Sequence, residues 1–107
     1  EAALQYIRHH ADTFIDVSDV LRVVRLSRAT LDQRFRRLLG RTVHAEIRRV
    51  HVERAQQLLV ETDWPVARIA RACGYHETAR LHEAFRREEG CSPRAYRLHH
   101  RHDKPGA

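Results

Sequence analysis

The chain has 107 residues, a formal net charge of +6 and 42% hydrophobic residues. That length suits one compact domain or two small subdomains that share support, and the apolar share excludes a disordered tail. Four glycines and three prolines exclude a loop-rich or collagen-like chain, and no apolar run approaches the roughly 20 residues that a membrane helix needs.

Apolar residues recur at intervals of three and four, which predicts an all-α fold. The first helix is expected over about Ala2 to Ala11, with Leu4 and Ile7 inward. Asp16 or Ser18 then caps a short helix whose inner residues are Val17, Val20, Leu21 and Val24. Ser27 is placed to cap a third helix over Arg28 to Leu39, with Leu31, Phe35 and Leu38 inward and Gly40 ending it. A long helix from about Val43 to Glu61 carries a stripe of Val43, Ile47, Val50, Ala55, Leu58 and Leu59.

Beyond Trp64 and Pro65 the pattern restarts. A short helix over Val66 to Cys73 turns Ile69, Ala70 and Cys73 inward, and Gly74 marks a turn. A longer helix from about Glu77 to Glu89 buries Leu81 and Phe85 and ends at Gly90. Ser92 and Pro93 open a last helix to about His100, with Ala95, Tyr96 and Leu98 as its larger contacts. The expected division is 1–41, a linker helix over 42–62, 63–100, and a frayed polar tail over 101–107. Trp64 is expected to pack between the two halves.

The pattern is duplicated. Shifting Ser27–Glu46 by 50 residues onto Glu77–Tyr96 gives seven identities in twenty positions, including Phe35-Arg36-Arg37 on Phe85-Arg86-Arg87 and Gly40 on Gly90. A shift of 49 sets Val17, Val20 and Val24 on Val66, Ile69 and Cys73. Each copy is a short helix, a tight turn and a longer helix, which is the helix-turn-helix unit, whose second helix enters the DNA major groove.

The charge agrees with such a partner: the pI is about 10.3, and all but Lys104 of the basic residues are arginine, whose planar fork grips phosphate or guanine with two hydrogen bonds. The faces opposite the buried residues carry Arg28, Ala29, Asp32, Gln33 and Arg36 in the first copy. In the second they carry Thr78, Ala79, His82, Glu83 and Arg86, with Arg80 at the flank. Gln pairs with adenine, Arg with guanine, and Asp or Glu accepts from cytosine. Ser27, Arg36, Arg37, His82, Arg86 and Arg87 are candidates for phosphate contact. A linker helix of 19 residues spans roughly 29 Å, close to the roughly 34 Å between successive major-groove faces. The competing reading is a basic helical protein-interaction module without sequence-specific DNA binding.

The Ser27–Gly40 block, Ile69-Ala-Arg-x-Cys-Gly-Tyr, Phe85-Arg-Arg-x-x-Gly and Ser92-Pro-x-x-Tyr-Arg together resemble the DNA-binding domain of the AraC/XylS family of bacterial transcription regulators. Leu4-Gln-Tyr-Ile-Arg-His-His and Gly40-Arg-Thr-Val-His-Ala resemble the xylose operon regulator branch of that family. The resemblance implies seven helices in two helix-turn-helix subdomains joined by a linker helix. It implies base contacts from Arg28, Ala29, Asp32 and Gln33, and from Thr78, Ala79, Arg80 and Glu83. It also implies an activator that touches RNA polymerase and is preceded by an effector-binding domain, sugar-sensing in the xylose branch. Two departures stand out. Arg25 occupies a turn position where the family often has Gly, at a cost of roughly 1 kcal/mol if that residue is left-handed. Ala29 brings no long side chain to its position.

The other chemistry is sparse. Nine His include His9-His10 and the His99, His100, His102 cluster, yet none has HExxH spacing, so no metal and no cofactor are expected. Cys73 and Cys91 form no CxxC pair, with Cys73 expected in the core and Cys91 exposed. No phosphate loop, nucleophile elbow or acidic dyad is present, so the chain is not expected to be an enzyme. Without an initiator Met or a leader, and opening inside a helical pattern, it is expected to be a piece of a longer cytoplasmic protein.

Overall fold

Capping chemistry sets the helix boundaries. In the computed structural model, which describes residues 2–10, 13 and 15–102, Asp16 accepts the Asp19 N–H at 3.1 Å and Asp19 accepts the Asp16 N–H at 2.9 Å. This reciprocal box opens α2. The helices are α1 (Ala2–His9), α2 (Val17–Val24), α3 (Arg28–Leu39), α4 (Val43–Glu61), α5 (Val66–Ala72), α6 (Thr78–Glu89) and α7 (Pro93–His102). Ser27, Thr42 and Ser92 cap α3, α4 and α7 through N–H groups of Thr30, Ala45 and Ala95, at 3.1, 3.2 and 3.1 Å. Gly40 and Gly90 end α3 and α6 in the left-handed region.

Two apolar cores form, one on each half of α4. The first gathers Ala3, Ile7, Ile15, Val17, Val20, Leu31, Phe35, Val43, Ile47 and Val50. The second gathers Val52, Ala55, Leu58, Leu59, Ile69, Ala70, Cys73, Leu81, Ala84 and Phe85. At about 100° per residue, the first group on α4 (Val43, Ile47, Val50) and the second (Val52, Ala55, Leu58, Leu59) point about 120° apart. The linker helix is therefore held on one side by the first half and on another by the second.

Several expectations need correction. Leu38 is 65% exposed and Leu98 67% exposed; neither belongs to a core. Leu39 packs on the first core instead, because α2 and α4 approach α3 from that side. On α7, Ala95 is also exposed, whereas Tyr96 meets Phe85 edge-on at 5.3 Å between ring centres. The inward role of Leu98 falls to Arg97, whose guanidinium donates to the carbonyls of Leu59 at 3.0 Å and Thr62 at 3.2 Å. Those carbonyls are left over at the end of α4, so a charged side chain does the docking. Trp64 packs on the second core, with the Arg68 guanidinium 3.8 Å above its ring, and not between the halves. α1 ends at His9, and Ala11 lies outside the described residues. α7 continues to His102, past the expected end at about His100, and the rest of the expected tail, 103–107, lies outside the described residues.

Candidate nucleic-acid interface

The matching helices α3 and α6 have equal length and begin and end 50 residues apart. Each buries a Leu and a Phe through its inner face: Leu31 and Phe35, Leu81 and Phe85. This leaves the same opposite strip on both. On α3 the strip holds Ala29, Gln33, Arg36 and Arg37, all exposed, with Arg28 exposed at the first turn. On α6 it holds Ala79, Glu83, Arg86 and Arg87, with Arg80 beside them, all exposed. Thr78 and His82 are half-buried on its flanks.

Two sets of arginines stand apart. Arg41, Arg48, Arg49 and Arg97 are tied to carboxylates or carbonyls of the fold. Among the described residues, Arg28, Arg36, Arg37, Arg80, Arg86 and Arg87 make no such intramolecular bond, and neither does Gln33. Their donors face solvent, available to an outside acceptor. Arg36, Arg37, Arg86 and Arg87 also sit in last helical turns, where positive charge favours the helix itself.

Two predicted site residues have structural work. Ser27 spends its hydroxyl on the α3 cap and on Thr30 Oγ1 at 2.8 Å. Asp32 is half-buried and accepts the Val43 N–H at 3.1 Å, which ties α3 to the first turn of α4. The outward periodicity of α3 places Asp32 at the edge of the strip, and the unpaired N–H of Val43 draws it to the junction.

The turn before each helix is left-handed. Arg25 has φ 54° and closes α2 by donating its N–H to the Leu21 carbonyl at 3.0 Å, while Gly74 has φ 87°. The first half holds with Arg the conformation that the second holds with Gly.

Three polar residues that fasten α4 to its surroundings escape hydropathy. Glu46, 1% exposed, receives Arg41 at 2.5 Å and Arg49 at 3.0 Å. Burial pushes its carboxyl pKa up, but the hydrogen bonds from Arg49 and Arg41 and their charges outweigh this and hold it below the usual value. Its spacing from Arg41 and Arg49 was the available signal. His51, 3% exposed, meets the Thr13 carbonyl through Nε2 at 2.9 Å; a carbonyl only accepts, so Nε2 carries the proton. Burial depresses its pKa, against the opposing pull of that hydrogen bond. Arg48 on α4 bridges to Glu88 on α6 at 2.7 Å.

Among the described residues no cluster of three or more His, Cys, Asp or Glu could hold a metal ion, and no helix is long and apolar enough to cross a membrane.

The same fold is found in known proteins. The helix-turn-helix domain family model matches residues 20–99. The xylose operon regulatory protein of Escherichia coli (strain K12) is 36% identical over 95 residues, covering 89% of this chain and 24% of that protein. Its counterpart in Haemophilus influenzae is 35% identical over 96 residues, covering 90% and 25%. Among solved structures, the DNA-binding domain of the global transcriptional factor AdpA, in complex with a target DNA, superposes with a TM-score of 0.88 at 32% identity, covering 98% of this chain and 95% of that one. The xylose-binding transcription activator xylR superposes with a TM-score of 0.73 at 35% identity, covering 90% and 25%. The chain thus spans about a quarter of the length of the xylose regulators it matches.

Proposed function

Since the chain belongs to the AraC-type helix-turn-helix family of transcription regulators, we propose that it is the sequence-specific, double-stranded DNA-binding unit of such a regulator. α3 and α6 enter adjacent major-groove segments from units spanning 1–41 and 63–100, with 42–62 as spacer. The observation that carries this reading is the twinned strip: matched helices present unbonded Arg, Gln and Glu side chains around an exposed Ala, in a fold that superposes on a DNA-bound domain.

Arg28, Ala29 and Gln33 read bases from α3, and Thr78, Ala79, Arg80 and Glu83 from α6. Ala29 and Ala79 let the helix backbone come close, and each methyl suits a thymine methyl. Asp32 acts from the edge, positioning α4 against α3. Arg36, Arg37, Arg86 and Arg87 grip phosphates, with Ser27 and His82 beside them. We extend the proposal to a separate effector-binding domain, sugar-sensing in keeping with the xylose-binding activator the chain resembles, and to activation through RNA polymerase in the cytoplasm.

Selection of bound duplexes from a random pool tests the reading. A bipartite motif with parts about one helical turn apart is the expected result. Gln33→Ala or Arg80→Ala costs about 1–3 kcal/mol on that motif and relaxes one or two base pairs. Arg36→Ala or Arg87→Ala weakens every duplex alike and lowers the salt dependence. Equal retention of all sequences would favour a basic protein-interaction module.

A further inference from the structure

We propose that His51 is the joint that fixes the angle between the two helix-turn-helix units, and thereby the spacing of the half-sites the chain accepts. The proposal rests on the DNA-binding reading and adds to it a residue that touches no DNA.

On α4, His51 lies where the buried face changes over, between Val50 of the first core and Val52 of the second. Glu46 and His51 are the buried polar side chains among the described residues. Glu46 is satisfied by Arg41 and Arg49, close to it in the chain. His51 instead faces both halves. Its Nε2–H donates to the Thr13 carbonyl, in the connection between α1 and α2. Its ring stands edge-on to Tyr75, in the turn before α6, with ring centres 5.2 Å apart and planes at 65°.

A leucine at this position would fill similar space, but apolar contact has no preferred direction and lets surfaces slide. A hydrogen bond to a fixed carbonyl does have a direction, and it holds the ring in one pose. Tyr75 then packs against a fixed edge. A second tether, Arg48 to Glu88, lies nearly one turn earlier on α4 and reaches the last turn of α6. The second recognition helix is thus held ahead of its start, through Tyr75, and near its end, through Glu88. Two points fix an axis where one would leave it free to pivot.

Loosening this joint leaves each strip intact while the angle between the strips broadens. The test is selection by the whole chain from duplexes that carry both half-motifs separated by spacers of different widths. The wild type enriches one width. His51→Ala and His51→Phe both accept neighbouring widths to within roughly tenfold of the best, a loss on the scale of one buried hydrogen bond. The half-motifs themselves stay unchanged. His51→Phe keeps the ring volume and so guards against a variant that simply unfolds, which circular dichroism would reveal. His51→Gln, whose amide nitrogen reaches as far as Nε2, restores most of the wild-type selectivity. The inference is overturned if both the Ala and Phe variants keep the single wild-type width, or lose affinity equally at every width. A wild type that selects no bipartite motif would instead remove the DNA-binding reading itself.

Discussion

The junction after each recognition helix solves one problem in two ways. After α3, the first N–H of α4 belongs to Val43 and needs an acceptor, which Asp32 supplies. After α6, the equivalent residue is Pro93, which has no N–H, and the position equivalent to Asp32 is His82. Further along, the buried Glu46 with its two arginines stands where the second half has Tyr96 packed on Phe85. At these matched positions one outline is thus closed by charge and hydrogen bonds in the first half, and by proline and aromatic packing in the second. Duplication conserves the shape of the unit, and the chemistry that seals it is free to diverge.

The largest difference to probe is at Glu46. Glu46→Gln keeps the volume but replaces a buried carboxylate that holds two guanidinium groups, at an expected cost of about 2 kcal/mol in urea unfolding. Because the folded carboxyl pKa lies below its ordinary value of 4.5, its contribution is full above that value and is lost as pH falls through the folded one. Thermal unfolding along an acid series should show this loss in the wild type and a weaker one in Glu46→Gln. Tyr96→Phe, at the matching place, should move stability by no more than about 0.5 kcal/mol and leave the acid profile unchanged.

The α3–α4 junction offers a smaller effect. Asp32→Ala strands the Val43 N–H and should cost about 1 kcal/mol, while Asp32→Asn, which still accepts, should cost less. In a Val43→Pro background, which imitates the second half, the same Asp32→Ala change should cost almost nothing. A double-mutant cycle with no coupling between the two positions would refute the account of this junction.

The smallest effect concerns the turns. Arg25→Gly relieves a left-handed non-glycine and should stabilise by up to about 1 kcal/mol, less the added freedom of the unfolded chain. Gly74→Ala should destabilise by a similar amount, and the pair of unfolding curves compares the two turns directly.

Most of this fold is legible in the sequence because its boundaries are local. Ser27, Thr42, Ser92, Gly40 and Gly90 act on their immediate neighbours, and the duplication reports the rest. What is not legible depends on where a neighbouring helix lies. Spacing sets Leu38 in line with Leu31 and Phe35, yet Leu39 is the one that packs on the core, because that is decided by where α2 and α4 approach α3. Hydropathy ranks Leu98 above Arg97, yet the carbonyls ending α4 call for donors, and Leu has none. Of the candidate site, the exposed strips follow from the buried Leu and Phe alone. The engagement of Asp32 with Val43 and the place of His51 between the halves require the tertiary arrangement.

The change of buried face along α4 has a further consequence. One residue inserted at mid-helix would advance the second unit by only about 1.5 Å but swing it by about 100° about the rod, breaking its phase with the first. An insertion of seven residues comes within about 20° of restoring that phase, at the cost of about 10 Å of added reach. The length of this rod is therefore quantised in practice: the phase between the two units tolerates only changes close to whole turns.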